Sequence, residues 1–333
     1  MKILMIGGTG VISTEVSKRI LAEGHELTLL NRGTQTRGLC PAGAKVITAN
    51  IRDAEETSRA LRGRYFDVIV DWISYTPAQL EQNLRVLRGM YGQFVFISST
   101  AVYTRGLRNA DEEAPKNNMA WDYARDKVGC EEYLKIEDIL YGCNWTVVRP
   151  AVTYGDTRIP CAIIPNRQWT LADRMLRGKP IVMHDDGSAM TAVTHSSDFA
   201  KGIVGLMGNP RALRQAYHIL SDEYHSWREL AEMEAHALRV EPKFVYISSV
   251  DLCRKMPQTQ QGVTYGVLLC NKAETDTYDT SKIHRDVPQF VCTTSFEQGI
   301  ARTMAFYRTH PEFQLIDEEW NAQIDRLCEE YGG

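Results

Sequence analysis

The stretch KILMIGGTGVIS, residues 2–13, decides how the rest of the chain is read. A short β-prone apolar run, Lys2 to Ile6, leads straight into Gly7-Gly8-Thr9-Gly10, and Val11, Ile12, Val16, Ile20 and Leu21 then recur at helical spacing along one face. Gly24 stands where a helix C-terminal glycine belongs. Strand, glycine-rich turn and helix in immediate succession form the context in which backbone N–H groups and a helix N-terminus face a pyrophosphate. Ser13 takes the third small position, where helix-to-strand packing asks only for a small side chain. The candidate dinucleotide contacts are Gly7, Thr9, Gly10, Val11 and Ile12; a plain tight turn is the alternative.

Outward from this unit the same rhythm continues. Candidate strands at 27–30, 45–48, 66–72, 93–97 and 144–150 alternate with helical patterns at 77–90 and 121–139, which predicts an α/β doubly wound parallel sheet over residues 1–154. Beyond Tyr154 the pattern loosens into helices at 166–177, 198–207, 226–238, 295–309 and 316–331 and strands at 180–183 and 216–219, a smaller mixed domain.

The 333 residues are 44% hydrophobic and 24% charged, the composition of a globular protein with ample core. Lys+Arg of 38 against Asp+Glu of 42 gives a net charge of −4, so no global basic field draws the chain to nucleic acid or an anionic membrane. No apolar run approaches the roughly 18 residues of a membrane span. The eight cysteines are scattered without CxxC spacing, and the opening apolar run is too short for an export signal. Reduced thiols and a cytoplasmic location are expected.

Asn31 and Arg32 follow the second strand, where an NAD site places a carboxylate on the adenosine ribose. With no carboxylate there, a 2′-phosphate meets no repulsion. Arg32 would grip that phosphate, stack on adenine or stand in solvent; NADP is favoured slightly over NAD. Asn50 and Ile51, after the third strand, fall at the adenine edge. Tyr123 and Lys127 are spaced i, i+4 on one helix face, so an ammonium near a phenol can lower its pKa and fit it for acid/base work. Ser99, in the hydroxyl-rich end of FISSTAVY at 96–103, could hold the substrate oxygen that Tyr123 protonates or deprotonates.

Taken together, GGTGVIS, SSTAVY, YARDK, RPAVTYG at 149–155, HSSDFA at 195–200 and the late Ser281-Lys282-Ile283 resemble the extended short-chain dehydrogenase/reductase superfamily, specifically its NAD-dependent epimerase/dehydratase family. The resemblance implies a Rossmann-like domain with a partly interleaved C-terminal substrate domain: residues 155–192 and 221–333 in the smaller domain, with a return to the first near 193–220. It also implies a catalytic set of Tyr123 as acid/base, Lys127 on the nicotinamide ribose and Ser99. Asp71, Trp72, Ile73, Pro150 and Val152 would complete the cofactor site, and Ser74, Thr100 and Thr191 would meet the substrate. Two departures bear on that substrate: Val152 and Thr191 stand where nucleotide-sugar members carry an Asn and an Arg that hold the diphosphate. A sugar-like small molecule anchored in another way is expected, with common UDP- and dTDP-hexoses binding poorly. The LLNRG segment also resembles the atypical branch containing chloroplast stem-loop RNA-binding proteins, which supplies the rival function. The intact YxxxK and the negative charge favour the enzyme, with no nucleic-acid or membrane partner.

His184, Asp185, Asp186 and His195 lack metal-ligand spacing, so no metal site is expected and His195 reads as structural. Trp320 and Tyr331 read as core packing or a homodimer contact.

Overall fold

The computed structural model describes residues 1–33, 40–161, 163, 167–256 and 264–332. Its strands, in chain order, are β1 (Lys2–Ile6), β2 (Glu26–Asn31), β3 (Lys45–Thr48), β4 (Phe66–Asp71), β5 (Tyr91–Ile97), β6 (Trp145–Arg149), β7 (Val152–Tyr154), β8 (Ile181–His184), β9 (Met190–His195), β10 (Gln215–His218), β11 (Tyr224–Ser226) and β12 (Phe244–Ile247). The helices are α1 (Val11–Ala22), α2 (Ala54–Leu61), α3 (Pro77–Leu87), α4 (Asp122–Tyr141), α5 (Trp169–Leu176), α6 (Ser196–Leu206), α7 (Trp227–Leu238), α8 (Ser249–Lys255), α9 (Ser281–Asp286), α10 (Phe296–Thr309) and α11 (Glu318–Tyr331).

Seven parallel strands make the main sheet, in the order β10-β6-β5-β4-β1-β2-β3. Both faces are covered, which is why its strands read as unbroken apolar runs. Successive residues alternate between two cores. Ile3 and Met5 of β1, with Val95 and Ile97 of β5, join Val16, Phe199 and Ile203 from α1 and α6. Leu4, Ile6, Phe94 and Phe96 join Leu80, Leu84, Cys130 and Leu134 from α3 and α4 on the other face. The chain winds from β1 out to β3, then returns to β4 on the other side of β1. The carboxyl ends of β1 and β4 therefore flank a topological switch point, where a ligand crevice opens in folds of this kind.

After β6 the chain leaves the main sheet and builds two small ones: β7 and β9 parallel with β11 antiparallel to β9, and β8 paired with β12. Trp169, Met175, Trp227, Leu230, Phe296, Ile300 and Met304 form the core between α5, α7 and α10. Helix α6 and strand β10 come back to the main sheet, α6 packing against α1. Trp320 is core: it packs with Ile324 and Leu327 of α11 against Val182, Val245 and Ile247.

Helix α2 is absent from the sequence reading, although its start signal is present. Asp53 caps it, its carboxylate accepting the Glu56 N–H at 2.9 Å. The helix read from residue 166 begins at Trp169, with 164–166 outside the described residues. A buried ion pair ties α4 to the sheet: the Arg149 guanidinium donates to both Glu131 oxygens at 2.9 and 2.7 Å, and Ser98 donates to the same carboxylate at 2.6 Å. That bond fixes the end of β5, and with it Ser99, relative to α4 and Tyr123.

Candidate active site

The glycine turn sits at the carboxyl end of β1. Gly7 has φ +101°, its N–H donates to Leu30 O at 3.0 Å, and a Cβ there would lie 3.3 Å from Ile73 Cγ2. Gly8 has φ +109°, and a Cβ would come within 2.7 Å of Leu29 Cδ2, so neither position admits a side chain without movement. Ser13 does more than pack, for its Oγ accepts the Gly10 N–H at 2.9 Å. Gly10 is exposed and Val11 and Ile12 are half-buried; the first-turn N–H groups of α1 have no acceptor within the helix.

At the adenosine end, Asn31 Oδ1 accepts the Gly33 N–H at 3.0 Å while its Nδ2 is buried without a partner. Arg32 is exposed. Arg52, in the segment after β3 that the sequence places at the adenine edge, reaches the same region: Nη2 donates to Ile73 O and, at 3.0 Å, to Gln79 Oε1, and Nη1 is buried without a partner. Burial, with a smaller push from the Arg32 charge, holds the Arg52 pKa below its ordinary value. Asn50 Oδ1 accepts the Arg52 N–H at 3.1 Å, whereas the Ile51 side chain belongs to the core.

Two residues assigned to ligands are spent on structure. The Asp71 carboxylate is fully buried and accepts the N–H groups of Ile73 and Ser74, each at 2.9 Å, the Ser74 hydroxyl at 2.6 Å and Asn83 Nδ2 at 2.9 Å. It holds the 72–74 turn rather than a cofactor. Ser74 is correspondingly sealed from the cleft, its hydroxyl donating to Asp71 and accepting from Asn83 at 2.8 Å. Trp72 does face the cleft, with its Nε1 unpartnered.

That cleft encloses about 390 Å³. Ile12 joins it to the glycine turn, and Ser99, Thr100, Tyr123, Lys127, Pro150, Val152 and Thr191 line it. The Ser99 hydroxyl stands near the Tyr123 phenol and favours its ionised form, and Ser99 Oγ accepts the Ala101 N–H at 3.1 Å. The Lys127 ammonium donates to the carbonyls of Ser74 and Ile97, both at 2.8 Å, which leaves one donor for a ligand. Burial pushes the Tyr123 phenol up to about 12 and the Lys127 ammonium down to about 8. The spacing argument anticipated an ammonium lowering the phenol. Here burial outweighs every charge; the groups that pull Tyr123 down are the Ser99 hydroxyl and, more weakly, Arg158, while Lys127 Nζ lies 5.9 Å from the ring centroid.

The sequence reading passed over Tyr75, Arg105, Arg158, Trp227 and Lys272, all on the cleft wall. They come from separate elements and share no local motif. His195 caps α6, its Nδ1 accepting the Ser197 N–H at 3.2 Å. Among the described residues no three His, Cys, Asp or Glu side chains are grouped to hold a metal, and no helix is long and apolar enough to cross a membrane. The residues present fit a dinucleotide: a glycine cradle that a Cβ would fill, and buried unpartnered donors on Asn31, Arg52 and Trp72 along the same edge.

Comparison with known proteins agrees with this geometry. The chain is 27% identical over 252 residues to the chloroplast stem-loop binding protein of 41 kDa b of Arabidopsis thaliana, covering 71% of this chain and 63% of that one. It is 23% identical to a putative UDP-glucose 4-epimerase of Methanocaldococcus jannaschii, over 60% of this chain and 71% of the relative. In three dimensions it is similar to a UDP-glucose 4-epimerase of Thermus thermophilus solved with NAD, with a TM-score of 0.73, 21% identity and coverage of 93% of this chain and 100% of the other. Residues 3–220 match the model of the NAD dependent epimerase/dehydratase family, and the chain belongs to that family.

Proposed function

We propose that this protein is an NAD(P)-dependent epimerase or oxidoreductase that transfers a hydride at a hydroxyl-bearing carbon of a sugar or sugar-nucleotide-like substrate. The observation that carries the reading is the meeting of Ser99, Tyr123 and Lys127 in one cleft that runs through Ile12 to the glycine turn. The dinucleotide would be held by the turn from Gly7 to Ile12, by Asn31, Arg32 and Arg52 at the adenosine end, and by the remaining donor of Lys127. When bound, its nicotinamide supplies the hydride acceptor and donor. Tyr123 takes the proton from the substrate hydroxyl as the carbonyl forms and returns it in the reverse direction. Ser99 donates to the same substrate oxygen and, standing beside Tyr123, favours the phenolate. The cationic pair Arg32 and Arg52 supports a preference for NADP.

The test is Tyr123→Phe. Removing one phenolic oxygen deletes the proton transfer but little of the dinucleotide contact, so turnover should fall by roughly 10²–10⁴-fold. Affinity for NADH and NADPH, read by fluorescence titration, should stay within about twofold of wild type. Lys127→Ala should damage both. A Tyr123→Phe enzyme that keeps most of its rate would remove the acid/base assignment.

The 27% identity to a chloroplast stem-loop binding protein supports a second reading, binding of structured RNA by a retained Rossmann shell. The net charge of −4 and the assembled Ser99–Tyr123–Lys127 cleft favour the enzyme. Filter binding with structured RNA at physiological salt should find no saturable affinity; tight binding would reverse the order of the two readings.

A further inference from the structure

The Asp71 carboxylate stands where a charge is costly, fully buried at the carboxyl end of β4, and forms no ion pair among the described residues. Oδ1 accepts the N–H groups of Ile73 and Ser74, and Oδ2 accepts the Ser74 hydroxyl and Asn83 Nδ2. The carbonyls of the same two residues receive the cations of the site. Ile73 O accepts from Arg52 Nη2, and Ser74 O accepts from the Lys127 ammonium at 2.8 Å. The peptide unit between Ile73 and Ser74 thus gives its N–H to Asp71 and its C=O to Arg52, a chain of hydrogen bonds that runs from a buried anion to a cation. The next peptide unit presents Ser74 O to Lys127, while its N–H, on Tyr75, donates at 2.9 Å to Gln79 Oε1, the oxygen that also receives Arg52. The turn closes the glycine cradle as well, for a Cβ at Gly7 would lie 3.4 Å from Trp72 Cβ.

Around Lys127 the other groups bring little free charge. Glu131, one helical turn along α4, is bound to Arg149 and Lys116. Cys130 is a neutral thiol, pushed up to about 12 by burial. The rings of Phe96, Tyr75 and Tyr123 have their centroids 4.6, 5.0 and 5.9 Å from Nζ. Asp71 acts on both Lys127 and Arg52, and on each it favours the charged form against burial.

We infer that Asp71 is a positioning residue for the dinucleotide: through the 72–74 turn it sets Arg52 at the adenosine end and Lys127 at the nicotinamide end, and its charge sustains both cations. The inference rests on the proposed reading of this cleft as a dinucleotide-dependent site, and adds to it a group that touches neither cofactor nor substrate.

Charge and shape separate in two substitutions. Asp71→Asn keeps an oxygen for the two N–H groups, and its amide nitrogen can donate to Asn83 Oδ1, which is buried without a partner, once the Asn83 amide turns over. The turn then stays and the charge goes. Asp71→Ala removes both. Lys127 is titrated in the ligand-free, full-length protein by NMR of lysine labelled with carbon-13 at the ε position, its signal assigned by its loss in Lys127→Ala. In the wild type it should titrate near 8, and in Asp71→Asn about one pH unit lower, because the anion that favours the ammonium is gone. Lys272, on which Arg158 and Glu234 act instead, should titrate alike in both. In fluorescence titrations at pH 7, Asp71→Asn should bind NADH within about threefold of wild type, whereas Asp71→Ala, with the turn released, should bind it about 10–100-fold more weakly. An unchanged Lys127 titration in Asp71→Asn overturns the inference, and so does wild-type NADH affinity in Asp71→Ala. Gly205→Ala, whose Cβ would press on Val287 Cγ1, controls for general loss of stability: if it weakens NADH as much as Asp71→Ala does, the effect is not one of positioning. Should Asp71→Ala not fold, the titration in Asp71→Asn decides alone. Failure of NADH to bind the wild type would overturn the parent reading, while the ligand-free titration still judges the charge of Asp71.

Discussion

Tyr123 and Lys127 sit in surroundings that disfavour charge on both: the phenol is held at about 12 and the ammonium at about 8. The influences that offset burial at Tyr123 are therefore the ones on which the rate depends. Ser99 is the largest, so Ser99→Ala should raise the phenol's pKa. Oxidation of a substrate hydroxyl needs the phenolate, so its kcat at pH 7 should drop roughly 10–100-fold and recover only at higher pH than in wild type. A kcat profile from pH 6 to 10 checks the sign; a profile displaced to lower pH would contradict the role given to Ser99. At the other end of the dinucleotide site, Arg32→Ala should weaken NADP by about 10–100-fold and leave NAD nearly unchanged, since only the 2′-phosphate offers a charge-assisted bond. Equal losses for both cofactors would place Arg32 on the adenine instead. These residues were legible because their relations are local: an i, i+4 pair, a strand end, a turn after a strand. Asp71 and Ser74 were misread for a related reason, because position after a strand says where a side chain stands and not which donors already occupy it. Arg158 and Lys272 were invisible, since nothing short of the folded cleft brings them together.

Elements differ in how much they reveal. Strands β1, β4 and β5 announce themselves because burial on both faces leaves no polar alternation to confuse them. Strand β11, only three residues and half-buried throughout, carries no such signal, and neither does the π turn at Leu268–Lys272. That turn places an ammonium in the interior, where its pKa of about 7 stands far below the 10.5 of an unburied lysine. The folded protein releases this proton as pH passes 7, while the unfolded chain keeps it to about 10.5, so between these values the unfolded state binds more protons and the contribution of Lys272 to stability rises with pH. Its destabilising effect is complete below pH 7 and fades toward pH 10. Lys272→Met should accordingly be more stable than wild type near pH 6.5, by a margin that shrinks as pH rises. Urea unfolding at pH 6.5, 8 and 9.5 measures it, and a margin that grows with pH would mean that the lysine is not buried as described.

At the scale of the whole molecule, the chain visits the small sheets and then returns α6 and β10 to the main one, and two glycines make the return possible. A Cβ at Gly202 would lie 2.6 Å from Ile219 Cγ2, and one at Gly205 would lie 2.2 Å from Val287 Cγ1 and 3.0 Å from Gln289 Nε2. Helix α6 packs on α1 on one side and receives Val287 and Phe290 from the far end of the sequence on another. The sequence reading expected a return near 193–220 and assigned the late segment no packing role against it, because glycine inside a helix looks like a weakness rather than a docking surface. For Gly205→Ala two effects compete. Alanine favours an isolated helix by about 1 kcal/mol, whereas overpacking a closed interior costs about 1–3 kcal/mol. A 2.2 Å approach is far inside van der Waals contact and its neighbour is a β-branched side chain with little rotamer freedom, so the steric cost should win. Gly205→Ala should lower the melting temperature by a few degrees, and Gly202→Ala should do the same through Ile219. If either substitution raised it, as helix propensity alone demands, the late segment would not be packed against α6 in the way that joins the two ends of the chain.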